Sequence, residues 1–450
     1  MHPPPDERAR AALKLSVVEG MLHATMVGVA ESYLGALAVE LGHRDGALAL
    51  LATIPLLLGS SGQLLASPML SWLGSRKRLV VLGASVQALT HLAFALIAWS
   101  NCHSFALLLG AKCTYWVSGM LIGPPWGAWM ASLISGARRE RYFAWRTGAV
   151  HLALLIAFGG GGWTLWRAQA LGQSALPSFA LLNAVAVIAR GLSAVGLAVQ
   201  ADPEAEGAGT VTERRYRWNR IALAARNAEW KPALYVALLM FGAHMAIPFF
   251  TPYMLRELNL DYAHYAALLA VPIVTKVLVS PLLYRAATSL GMRGLLALAT
   301  ALVALVAFLW SHATTFDGLV VAQFLSGVAW GAFEYASYQL LLSSSRPALQ
   351  VEFLSLANSL IGAAQLSGAL VGAALLASGG FAYADLFLLS AVGRALPVGL
   401  VFLWIPLGAP ILKRLFWRVV SVRPSGGTLR RPILTRQARK PRPPSEPPQA

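Results

Sequence analysis

Charge is what this sequence has least of. Only 12% of its 450 residues are Asp, Glu, Lys or Arg, about half the roughly 25% of ordinary soluble domains. With 57% hydrophobic residues and a mean hydropathy of +0.60, a water-soluble fold could not cover its own surface. That excludes a cytosolic globular enzyme, and it also excludes a disordered chain, which needs low hydrophobicity. Cysteine is nearly absent. Cys102 and Cys113 are the only two, so neither a disulfide framework nor a cysteine metal site is indicated. The Gly-x4-Gly-Lys-Ser/Thr loop of a P-loop ATPase is missing, as are Gly-x-Ser-x-Gly and His-Glu-x-x-His. No catalytic constellation is found and no cofactor is implied, so an enzyme is not expected. Glu19-x3-His23 and Asp261-x2-His264 stand as isolated pairs, read as structural and not as metal ligands.

Long apolar runs are what the chain has in abundance. They fall at about 12–37, 46–70, 79–99, 105–135, 147–168, 177–200, 231–256, 262–286, 294–312, 318–342, 353–378 and 383–410. Each is long enough for the roughly 20 residues that cross a bilayer as a helix, and none shows the alternation of a membrane barrel strand. The expectation is an all-α polytopic membrane protein with twelve transmembrane helices. The first run is too long for the apolar core of a cleavable signal peptide.

The basic residues set the orientation. The chain carries 36 Lys and Arg against 19 acids. If the N-terminus is inside, 29 of them lie in inner segments and only Arg44, Arg167 and Arg256 lie outside. Both termini are therefore expected in the cytoplasm. The net charge of +17 is read as a topology signal, with no nucleic-acid partner. Residues 411–450, basic and proline-rich, read as a disordered cytoplasmic tail close to anionic headgroups.

The chain also repeats itself. Residues 201–230, acidic and then basic, separate six spans from six. Ala52-Thr53-Ile54-Pro55 in span two matches Ala270-Val271-Pro272 in span eight. Ser67-Pro68-Met69-Leu70 with Leu73-Gly74-Ser75-Arg76 matches Ser280-Pro281-Leu282-Leu283 with Leu290-Gly291-Met292-Arg293. Ser118-Gly119-x3-Gly123 matches Ser326-Gly327-x3-Gly331. An even number of spans gives each half the same orientation, hence two parallel six-helix repeats about an axis normal to the membrane. The expected organisation is a six-helix bundle over 1–200, a cytoplasmic loop over 201–230, a second bundle over 231–410 and the tail.

At these residues the chain resembles the major facilitator superfamily. Leu73-Gly74-Ser75-Arg76-Lys77-Arg78-Leu79 occupies the loop after span two, where that family carries Gly-x3-Asp-Arg-x-Gly-Arg-Arg. Gly123-Pro124-Pro125-Trp126-Gly127-Ala128-Trp129, leading to Arg139-Glu140-Arg141-Tyr142-Phe143, is similar to a bacterial subgroup with Pro-x-Trp-x-x-Trp in span four. Ser71 and Trp72 replace the motif's Asp-Arg, and Glu140 replaces a glycine, so an aspartate-dependent relay in that loop is absent or rebuilt. The resemblance implies a secondary transporter of a small organic solute, ion-coupled and proton-linked, working as a monomer in a bacterial inner membrane. Arg76, Lys77, Arg78, Arg139 and Arg141 would then brace an inner gate. A lipid or amphipathic-compound transporter of the same fold is the alternative, and a membrane receptor or scaffold follows it.

Charges inside spans cost at least ~2.5–3.5 kcal/mol each on insertion scales and mark cavities or partners. Glu31 lies about 9 Å and Lys112 about 10 Å from the outer end of their spans at 1.5 Å per residue. Lys276 and Glu334 lie at about 21 and 24 Å. Each set is expected to pair, either as a fixed structural bridge or as a coupling site. His23 and His244 fall near mid-membrane, where an imidazole can exchange a proton. Trp126 and Trp330 are candidate cavity linings. Arg190 and Arg394, at equivalent places in spans six and twelve, are expected to brace neighbouring helices.

Overall fold

The computed structural model describes residues 5–133, 137–201, 218–346 and 349–405. The expected 411–450 tail and most of the 201–230 loop lie outside the described residues. Among the described residues, twelve helices are long and apolar enough to cross a membrane: Ala11–Glu40, Asp45–Gly62, Arg76–Trp99, Phe105–Gly127, Trp145–Ala170, Leu176–Val199, Lys231–Glu257, Tyr262–Leu283, Arg285–His312, Phe316–Ser343, Glu352–Ala377 and Tyr383–Trp404. They are called spans one to twelve. Their exposed side chains are large and apolar, Leu89, Ile156, Leu396 and Leu403 among them, as a surface facing acyl chains requires.

The helix ends follow local chemistry. Ser75 accepts a hydrogen bond from the Arg78 amide and opens span three, and Thr315 does the same from the Gly318 amide for span ten. Asp261 caps span eight through the His264 amide at 2.8 Å and also meets the His264 ring at 2.8 Å. Partial burial alone would raise the Asp261 pKa, but these bonds outweigh it and hold the carboxyl below its ordinary value. Gly74, between spans two and three, has φ +65°, and Gly291, at a kink near the start of span nine within the continuous helix Tyr262–His312, has φ +71°. A side chain is strained in that region, so the chain turns on matched glycines 217 positions apart.

Packing within the first six spans joins one to five and six, three to four and six, and two to four. In the last six, span seven packs on eleven and twelve, and the helix carrying spans eight and nine packs on ten and twelve. The two sets meet where span two lies on span eleven and span five on the helix carrying span eight. Small residues permit these approaches. A Cβ on Gly362 would come within 3.1 Å of Leu57, and one on Gly162 within 2.5 Å of Ala266. Gly159 and Gly160 in the same glycine run have nothing within 4 Å, so only its second half serves contact.

Spans one and seven are both interrupted. In span one the α-helix ends at Val29 and a 3₁₀ turn runs over Glu31–Tyr33. In span seven the helix ends at His244 and a 3₁₀ turn runs over Ile247–Phe249. The two turns lie 216 positions apart, so the break itself is repeated. Pro248 removes an amide donor from the second break.

Candidate functional site

Three polar clusters sit inside or across this bundle. The first lies in the second set of spans. Lys276 Nζ donates to Glu334 Oε1 at 2.7 Å, with side chains only 10% and 14% exposed. Glycine brings their helices together: a Cβ on Gly327 would fall 2.9 Å from the Pro272 carbonyl oxygen and 2.5 Å from Thr275. One turn on, the Lys276 stem lies along Gly331, whose Cβ would stand 3.6 Å from Cγ. Trp330 packs edge-on to Phe333, with ring centroids 5.8 Å apart.

The second cluster fills the first six spans. Glu31 is buried on the 3₁₀ turn of span one, and the Tyr115 hydroxyl of span four donates to its carboxylate. Lys112 is half-buried three residues earlier on span four, on the same helix face as Tyr115. Toward the end of the bundle that carries the chain termini, Glu19 lies between two guanidiniums. Arg146 Nη2 is 3.3 Å from one carboxylate oxygen and Arg190 Nη1 is 3.6 Å from the other. Arg146 also donates to the Ser16 carbonyl at 3.0 Å, and Arg190 donates to Gln87 at 2.6 Å and Ser193 at 2.7 Å. Trp126 lies under the Arg146 guanidinium, 4.8 Å from ring centroid to Cζ. In the sequence Arg146 stands just before the apolar run at about 147–168, which counts it among the inner-segment charges. The structure buries it in span five at 3% exposure, because Glu19 and Ser16 supply partners that a bilayer cannot.

The third cluster crosses between the two sets at the face opposite the termini. Arg256, at the end of span seven, donates to the His43 carbonyl at 2.7 Å and stands 3.6 Å from Asp45. The Tyr383 hydroxyl donates to Asp45 at 2.9 Å, and the Tyr262 hydroxyl donates to Glu40 at 3.1 Å. The Tyr262 amide donates to Gln169 at 3.0 Å. Burial, with His103 and Arg256 adding to it, pushes the His43 imidazole below its ordinary 6.5. None of these residues stands out in the sequence as a site, since acids and bases at span ends read as solvated loop charges. The available signal is Glu40-Leu41 repeated as Glu257-Leu258.

The remaining candidates are dispersed. His244 is buried with Nδ1 3.0 Å from the Met240 carbonyl of its own helix. His23 is half-buried one turn beyond Glu19. Arg394 ties spans seven, nine and twelve by donating to the Ala243 and Val303 carbonyls at 3.2 Å each and to Ser390 at 3.0 Å. Arg76, Lys77 and Arg78 form the first turn of span three. Arg139 and Arg141 lie on the helix Ala137–Ala170, with side chains outside what is described. Among the described residues no group of three or more His, Cys, Asp or Glu could hold a metal ion, and both cysteines are free.

No family model matches the sequence, and no curated protein matches it. Solved structures do match its shape. A single-substitution variant of the nucleoside transporter NupG superposes with a TM-score of 0.65 at 10% identity, over 87% of this chain and 100% of the other. A D-xylose–proton symporter gives 0.61 at 12%, over 89% and 97%. The human organic anion transporter MFSD10 (TETRAN) gives 0.58 at 15%, over 89% and 100%. The chain has the major facilitator fold. At these identities the likeness is one of fold, and it extends over nearly the full length of all three. Within the major facilitator fold of this chain, charged residues from spans one, four, five, six, eight and ten and from the span ends form the polar sites, whereas the exposed flanks carry apolar side chains.

Proposed function

We propose that the protein is a secondary transporter of a small organic solute, which it moves by alternating access between a bundle over 1–200 and a bundle over 231–410, coupled to protons. The observation that carries the reading is the Lys276–Glu334 pair. It is a nearly buried carboxylate with a single lysine on the adjoining span, placed where Gly327 and Gly331 let two helices approach. The carboxylate and its cation stand on two different helices, so a movement of one helix against the other would part them and change what Glu334 is paired with. The cluster of Arg256, Asp45, Tyr383, Glu40 and Tyr262 supports the same reading as a closed gate on one face. The positive-inside balance supports termini in the cytoplasm and that closed face outside, and the reading assigns the protein to a bacterial inner membrane.

The test is transport in reconstituted vesicles bearing a pH-sensitive dye, with nucleosides, pentoses and organic anions as trial solutes. Glu334→Gln should abolish gradient-driven accumulation yet leave exchange of solute across the membrane, since an amide mimics the protonated acid but cannot release a proton. Normal uphill accumulation by Glu334→Gln would remove Glu334 from coupling. Failure of every solute class to move in the native protein would count against the transporter reading.

A further inference from the structure

A groove of about 390 Å³ opens between the short helix Ala66–Leu73 and spans three and four, and no residue of the three polar clusters lines it. Met69, Leu79, Leu82, Val86, Cys113 and Leu121 line it, with Leu79 and Leu121 forming a buried apolar floor. Its length is set by its helices. Leu79 stands three residues and Val86 ten residues beyond Arg76, the start of span three, so the groove runs from about 5 to 15 Å into the bundle at 1.5 Å per residue. That is the depth of one leaflet in a hydrocarbon core about 30 Å thick. Two residues mark its mouth as headgroup level. Trp72, three residues beyond Met69 on the helix Ala66–Leu73, is 79% exposed, as an interfacial anchor is. Arg78 is exposed in the first turn of span three. It lies four residues before Leu82 and therefore on the same helix face, one turn nearer the surface. The site is apolar for one leaflet's depth and ends in an exposed guanidinium.

We propose that this groove binds one acyl chain of an anionic phospholipid, with Arg78 holding the headgroup phosphate. The groove supplies apolar contact along the chain, and the guanidinium supplies a bidentate donor at the depth where the phosphate sits. Selectivity for charge follows from Arg78, the exposed member of the basic turn Arg76–Arg78, because the apolar lining does not distinguish headgroups.

The test uses the full-length protein in vesicles containing photoreactive phosphatidylglycerol or photoreactive phosphatidylcholine with the same diazirine-bearing acyl chain, the attachment sites being mapped by mass spectrometry. Phosphatidylglycerol should label residues 79–86 and 113–121 about fivefold more than phosphatidylcholine does, the factor one surface-proximal arginine contributes toward an anionic headgroup. Arg78→Gln should remove that excess, and Arg78→Lys should retain most of it. Both variants sit at an exposed position, and native mass spectrometry of retained lipid gives a second readout on the same preparations. Equal labelling by the two headgroups, an excess that survives Arg78→Gln, or labelling that misses these two segments would overturn the proposal.

Discussion

Removing one member of the Lys276–Glu334 pair should cost far more than removing both. The two atoms are 2.7 Å apart, and the side chains are 10% and 14% exposed. An exposed pair contributes only about 0–1 kcal/mol, whereas stranding one charge of a buried pair costs about 3–5 kcal/mol. The low exposure puts this pair in the second class. Lys276→Met keeps the length of the stem that lies along Gly331 and leaves the Glu334 carboxylate without its cation. Glu334→Gln keeps the shape and strands the ammonium. Each single variant should lose about 3 kcal/mol, and the double variant should recover most of it, because no charge is then left buried. The assay is unfolding in mixed micelles as a denaturing detergent is titrated in, followed by far-ultraviolet circular dichroism, with the four proteins forming a double-mutant cycle. Additive losses, or single variants within about 0.5 kcal/mol of native, would show that the two charges are solvated separately and that the site is not a coupled pair.

Two further outcomes follow from the other clusters. Glu19→Gln leaves Arg146 and Arg190 facing each other across the place of their shared carboxylate, and should destabilise the first six spans by about 3 kcal/mol. Native-like unfolding of that variant would mean that water already solvates the cluster. In the closed arrangement burial, with His103 and Arg256 adding to it, holds the His43 pKa below 6.5, so an opening that exposes the ring should take up a proton. The closed state is at full strength above 6.5 and weakens as pH falls through that value. Hydrogen exchange over residues 40–45, corrected for its intrinsic pH dependence, should accelerate on acidification, and no change would refute the linkage.

Much of this architecture is legible before any coordinates. Twelve apolar runs declare twelve spans because a bilayer leaves the backbone no other way to satisfy its polar groups, and Gly74 and Gly291 declare matched turns. Lys276 and Glu334 share a depth that simple counting along each helix reveals. Arg146 is misread from sequence for a physical reason. A basic residue at the start of an apolar run normally snorkels to the surface, and only the fold brings Glu19 and Ser16 to it from a span more than a hundred positions away. The break in span one is likewise invisible, since Glu31–Tyr33 contains no proline or glycine, whereas Pro248 signals the break in span seven. The cluster on Asp45 and Arg256 joins residues more than two hundred positions apart, and nothing local distinguishes those charges from solvated loop ends.

Alternating access requires the closed face to open, and that can be measured without knowing the solute. Arg44 and Asn259 are exposed on loops from opposite halves at that face. Spin labels on Arg44→Cys and Asn259→Cys, in a background of Cys102→Ser and Cys113→Ser, report the separation of the halves by double electron–electron resonance. The account predicts two distance populations, with the longer gaining weight when Asp45→Asn and Arg256→Gln remove the charges that bridge the faces. A single short distance, unchanged by those substitutions, would contradict it.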